Sequence, residues 1–187
     1  MNLWFEDESR FGLFTRAGRM LTAQGGKPVC TCHQVFQSTY LFGAFAPITG
    51  DYFLMEMPQC NADCFQIFLN ELSIEKQGQL NIMVLDNGAF HKAKKLNIPE
   101  NILLVFLPPY APELNPAEKM WAKFKRDLTN HIYHSMEQIS DFIKSSVDTI
   151  TPDRVMSTCR YKYIFEDNYW AVYYATLVLA YQWFVKF

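Results

Sequence analysis

The order of the apolar segments constrains this chain most. Strand-like segments come first, helix- and strand-like segments then alternate, and helices follow. That order predicts an α/β fold, a mixed sheet covered by helices. Leu3 to Glu8 alternates, with Leu3, Phe5 and Asp7 on one side and Trp4, Glu6 and Glu8 on the other. Tyr40–Ala46 reads as a buried strand stopped by Pro47, and Asp51–Met57 as its hairpin partner. Asn61 caps a helix to about Gln77, with Phe65, Phe68, Leu69 and Leu72 at helical spacing and Gly78 beyond. Asn81–Leu85 and Ile102–Leu107 are short apolar strands, closed by Asp86-Asn87-Gly88 and Pro108-Pro109. A short helix is expected over His91–Leu96, one from Asn115 to about Leu128, and one from Ser135 to about Ile150. Arg16–Pro28, with its glycines, reads as loop or ragged hairpin.

One core is affordable at 187 residues, half of them hydrophobic. One domain is expected over residues 1–165, with an atypical hydrophobic tail over 166–187. From Tyr169 onward that tail holds a single charged residue. A membrane span, a buried terminal helix and a tail acquired by a disturbed reading frame all fit it. No basic, apolar leader opens the chain, and a cytoplasmic protein is expected, on the nucleoid when bound to DNA. Five cysteines and no leader argue against a disulfide framework. Cys30, Cys32 and His33 are zinc-type ligands that Cys60 and Cys64 would have to complete, at unusual spacings; buried thiols are the better reading. The net charge of −2 lacks the basic excess of a dedicated DNA-binding domain. Any DNA contact must use locally concentrated charge or another segment.

Three acids stand out. Asp86 ends a buried strand, where α/β sheets bind ligands, although locally a plain Asp-Asn-Gly turn is the better reading. Asp7 shares a strand face with Leu3 and Phe5, and a carboxylate there needs a partner or a metal. Fraying by Glu6 would instead leave Glu6, Asp7 and Glu8 all solvated. Asn115-Pro116-Ala117-Glu118 starts a helix in which Glu118 can close a capping box. Glu118 also falls at the margin of the stripe of Ala117, Met120, Trp121, Phe124 and Leu128, where it can point into a cleft. Clustered carboxylates suit Mg²⁺ or Mn²⁺.

Four blocks together resemble the Tc1/mariner superfamily of transposases, and most closely the bacterial IS630 group. They are Trp4-Phe-Glu-Asp-Glu-Ser-Arg-Phe-Gly12, Tyr40-Leu-Phe-Gly-Ala44, Val84-Leu-Asp-Asn-Gly-Ala-Phe-His91 and Leu107-Pro-Pro-Tyr-Ala-Pro-Glu-Leu-Asn-Pro-Ala-Glu-Lys-Met-Trp121. The last is the most specific, and the resemblance covers roughly residues 3 to 164. It implies an RNase H-like fold and a metal-dependent triad of Asp7, Asp86 and Glu118, catalytic and metal-binding. It thereby selects Asp7 among its neighbours and reverses the local reading of Asp86. Two departures stand beside it: the family's N-terminal helix-turn-helix region is missing, and the tail after about Phe165 has no counterpart. The 31 residues between Asp86 and Glu118 are slightly few for the family and imply a shorter loop.

The function so implied is cleavage and strand transfer during transposition of an insertion element. Two Mg²⁺ or Mn²⁺ ions are the cofactors, and transposon ends and target DNA the partners. A homodimer and a separately encoded helix-turn-helix segment are implied as well, and no small-molecule substrate. Lys119, Lys123, Lys125 and Arg126 are candidate DNA contacts, with a solvated helix face as the alternative; Arg10, Arg16 and Arg19 read the same way. His91 would contact a phosphate, orient Asp86 or pack a helix start. The rival functions are an RNase H-like nuclease without strand transfer, and an inactive remnant serving as a DNA-binding or dimerisation module.

Overall fold

The computed structural model of the chain describes residues 1–18, 22–27, 29 and 33–165. Five strands form one sheet: β1 (Asn2–Gly12), β2 (Ser38–Phe45), β3 (Tyr52–Met57), β4 (Asn81–Leu85) and β5 (Ile102–Phe106), in the order β3-β2-β1-β4-β5. β1 pairs antiparallel with β2 and β2 with β3, whereas β1–β4 and β4–β5 are parallel. The sheet is therefore mixed, as the element order predicts. Its first strand is its centre, which explains why Asn2–Glu6 is buried without interruption.

Successive residues of a strand face opposite sides, and each side has its own core. Trp4, Met83 and Leu85 meet Phe65, Phe68, Leu69 and Leu72 of α1 (Ala62–Glu75), the crossover between β3 and β4. Fully burying each such side chain stabilises by about 1.5–3 kcal/mol. Asn61 caps this helix, its side chain accepting from Asp63 N–H and Cys64 N–H, and Gly78 beyond it has φ +76°. On the other side Phe11, Leu41 and Phe45 pack on Met120, Trp121 and Phe124 of α2 (Ala117–Leu128) and on Ile139 and Ile143 of α3 (Met136–Val147). Leu3, Phe5, Ile82 and Val84 join Val105 and Ile164 in a third cluster. Ile164 belongs to α5 (Lys162–Phe165), which follows α4 (Pro152–Thr158).

One expectation is corrected. His91–Leu96 forms consecutive turns rather than a helix. The segment lacks an apolar stripe long enough to nucleate one. The short helices α4 and α5 are additions, the first started by Thr151, which accepts from Arg154 N–H, with a proline in its first turn. Cys60, Cys64 and Cys159 are free thiols, and burial pushes Cys159 up to about 12. The zinc alternative at Cys30 and Cys32, Arg19, and the tail after Phe165 lie outside the described residues. Among those described, no helix is long and apolar enough to cross a membrane.

Candidate active site

The last β1–β4 pair is Phe5–Val84; β4 ends one residue later, while β1 continues against β2 as far as Gly12. The sheet forks there. Phe5 and Val84 point to the same side, so Asp7 and Asp86, each two residues further on, share that side as well. The fork is held open by Asn115, which is buried at 2% exposure. Its Nδ2 donates to the Glu6 carbonyl at 2.8 Å, and its Oδ1 accepts from Ala117 N–H at 3.1 Å. One side chain thus supplies the partner that β4 no longer offers and seats the start of α2 beside Asp7.

Trp121 presses the same helix down. Gly43 is the register partner of Asp7 on β2, and a Cβ there would stand 2.6 Å from Trp121 Cη2. The missing side chain lets the indole lie on the sheet. Glu118, one turn before Trp121, then faces the fork. Glu118 does not close the expected capping box, because Asn115 N–H is taken by Pro112 O at 2.9 Å.

Asp7, Asp86 and Glu118 line one cleft of 480 Å³, with Asn87, Gly88 and Asn115. Pro108–Pro112 forms its wall, where Tyr110 is fully exposed at φ +60°. The three acids singled out from the sequence are therefore brought together. Burial, then the charges of Glu118, Glu8 and Asp86, push the Asp7 carboxyl up to about 8. Crowded, oxygen-only donors of this kind fit a hard divalent cation, which would relieve their repulsion.

The other candidates divide. His91 is 3% exposed and does not face the cleft as a phosphate contact. Its Nδ1 lies 2.9 Å from Asp86 Oδ1 and its Nε2 2.9 Å from Glu8 Oε1. Phe65 and Phe90 flank the ring, so the placement fits both orienting Asp86 and packing. Gly88 N–H donates to the same Asp86 oxygen at 2.7 Å, and a Cβ at Gly88 would stand 2.9 Å from the imidazole. Lys119 lies over the Tyr161 ring at 3.8 Å, and Lys123 pairs with Asp127 at 3.1 Å. Lys125 lines a groove with Arg10, Arg16, Phe14 and Phe36, and Arg126 borders the next hollow with Arg16. Phe14 and Phe36 are 47% and 76% exposed, with ring centroids 5.4 Å apart.

Sequence reasoning missed Asn115 as the wedge, Gly43 as the seat of Trp121 and the bridge from His91 to Glu8. One signal for the bridge was visible: Glu6 follows Trp4 on an apolar strand face, where an acid needs a partner.

A family model described as DDE superfamily endonuclease matches residues 2–143. The uncharacterized protein y4pE/y4sA of Sinorhizobium fredii is 38% identical over 104 residues, 54% of this chain and 76% of that protein. Among solved structures, a pre-cleavage Mos1 transpososome superposes with a TM-score of 0.66 at 16% identity, over 84% of this chain and 52% of that one. A Mos1 mariner paired end complex with Mn gives 0.63 at 17% identity, over 84% and 51%. The chain spans about half the length of the Mos1 chains it matches, and at that identity the likeness is one of fold.

Proposed function

Since the chain belongs to the DDE superfamily endonucleases and folds as an RNase H-like mixed sheet of the Mos1 transposase type, we propose that it cuts and joins DNA strands during movement of an insertion element. The observation that carries this reading is the convergence of Asp7, Asp86 and Glu118 on one cleft at the fork of the sheet. These three side chains would hold a pair of Mg²⁺ or Mn²⁺ ions. Such a pair, when bound, activates the attacking oxygen and stabilises the leaving oxygen of an in-line phosphodiester displacement. The protein's own residues do the positioning. Asp7 and Asp86 are fixed by adjacent strands, Glu118 by the wedge of Asn115. His91 and Gly88 N–H both hold the Asp86 oxygen that they share, leaving its second oxygen for the cleft. Water attacks first, and the freed 3′-hydroxyl attacks target DNA second. Two copies act together, and a helix-turn-helix segment recognises the ends of the element.

A gel assay with pre-cut element ends, target plasmid and Mg²⁺ tests this reading. Joined products are expected with the native chain and none with Asp86→Ala. Cleavage without joining would leave the simple-nuclease reading. Neither cleavage nor joining, in a chain that still binds DNA, would leave the remnant.

The groove of Arg10, Arg16 and Lys125 is proposed as the DNA path, with Phe14 and Phe36 as stacking surfaces. Changing the three basic residues to Ala is expected to weaken binding to all sequences alike. It should lower the slope of log affinity against log salt by roughly 3, near 0.9 for each lost phosphate contact. Fluorescence anisotropy over a salt series measures both, and an unchanged slope would place the DNA elsewhere.

A further inference from the structure

Asp7 looks into the cleft; Glu6 and Glu8 look the other way, beneath α1. Glu6 is fully buried, and beside the neighbouring carboxyl of Glu8 neither of its own oxygens meets a hydrogen-bond donor among the described residues. A carboxyl group in that position must be neutralised, by a proton or by a cation. Its surroundings favour a cation. His91 Nε2 stands 3.6 Å from Glu6 Oε2 and 2.9 Å from Glu8 Oε1. One donor atom from each of the three residues lies within 4.8 Å of the other two. Donors about 2.1 Å from a shared Zn²⁺ ion stand roughly 3–3.5 Å from one another, which the two spacings from His91 Nε2 already approach. The far side of the ring fits as well. A metal-bound imidazole ordinarily donates its second N–H to a carboxylate, which fixes the tautomer and frees the other nitrogen for the metal. Asp86 Oδ1, 2.9 Å from Nδ1, occupies that position. Phe65 and Phe90, with ring centroids 4.6 Å and 4.1 Å from that of His91, wall the imidazole in. The Glu8 side chain, 11% exposed, is the member of the three nearest to solvent.

We propose that Glu6, Glu8 and His91 form a second cation site, on the opposite face of β1 from the cleft, for a divalent transition ion of the Zn²⁺ type. Its nitrogen donor sets it apart from the all-oxygen cleft, which suits Mg²⁺. A bound ion ties β1 to the turn after β4 and, through His91, steadies Asp86. The site stands whether or not the cleft cuts DNA.

The test is Zn²⁺ calorimetry on the full chain, stripped of metal, in excess Mg²⁺, with Cys30 and Cys32 changed to Ser throughout. One equivalent is expected to bind, with the same affinity when Asp7→Asn and Glu118→Gln are added. Glu6→Gln, which keeps the shape and removes the charge, should bind at least roughly tenfold more weakly. In ¹⁵N-histidine-labelled protein, Zn²⁺ should shift the Nε2 signal of His91, assigned by its absence from His91→Gln. That spectrum reads the unmodified site directly and decides the matter even if Glu6→Gln fails to fold. Absence of Zn²⁺ uptake, equal affinity in Glu6→Gln, loss of binding with the cleft variants, or an unmoved His91 signal would each overturn the site.

Discussion

Asp7→Asn is expected to abolish Mg²⁺-supported strand cleavage and at the same time to make the metal-free protein more stable. The loss of activity should be roughly a thousandfold or more, as for removal of a group that acts directly on the reacting phosphate. The gain in stability follows from the Asp7 carboxyl. Burial first, then Glu118, Glu8 and Asp86, raise it from 3.8 to about 8 in the folded protein. Below the unfolded value both states are protonated and the residue costs nothing. Between the two values the unfolded chain ionises while the folded one keeps its proton, so folding is penalised more as pH rises. Above about 8 the penalty is complete. Asn has no proton to lose, so the variant's advantage should be near zero at pH 4 and grow to a plateau, on the order of a few kcal/mol. Urea denaturation in EDTA at several pH values measures it. Mg²⁺ should stabilise the native protein near neutrality and leave Asp7→Asn unchanged. Parallel stability curves for the two proteins across this range would mean that Asp7 is solvated and the cleft is not an acid trap.

Gly43→Ala, distant in sequence from all three acids, should cost both stability and activity. The added Cβ would stand 2.6 Å from Trp121 Cη2 and 2.7 Å from Leu54 Cδ2. Leu54 is a flexible terminus and can yield. Trp121 cannot, because its ring is 1% exposed and packed edge-on against Phe45 at 5.4 Å and Phe124 at 5.8 Å. The helix must lift instead, which costs about 1–3 kcal/mol as overpacking does. Each kcal/mol lowers Tm by roughly 2–4 °C in a chain of this size. Glu118 rides one turn ahead of Trp121, and a misplacement near 1 Å can cost about a hundredfold in rate. A fall in kcat of roughly ten- to a hundredfold is expected, with DNA affinity nearly unchanged. Circular dichroism melting and cleavage under single-turnover conditions read the two effects. Full activity at an unchanged Tm would show that the indole does not seat the helix.

Much of the fold was legible because its periodicities are local. The alternation in β1, the apolar runs of β4 and β5, and the stripe on α2 each announce an element, and their order announces the sheet. The acids of the cleft were legible as a set through the resemblance, while local rules read two of them only as turn and cap. Asp86 reads as a turn, and it does cap its own turn through Gly88 N–H; only the adjacency of β1 places it near Asp7. Glu118 reads as half of a capping box, but the 3-10 turn Pro112–Leu114 delivers a carbonyl to Asn115 first. The His91 bridge and the Trp121 seat were hidden for another reason. Each joins residues from separate elements, 83 positions apart for His91 and Glu8, and no periodic pattern encodes such a meeting.

The opening strand of the chain runs through the middle of the sheet toward the cleft, so Met1 sits at the opposite pole of the molecule. Six residues of extended chain, about 20 Å, separate it from Asp7. Any module joined ahead of Met1 would hang from the back of the enzyme and need a tether long enough to come round the side. Fusion partners placed there would leave the reaction chamber unobstructed, and a linker cut short would hold them away from the DNA altogether.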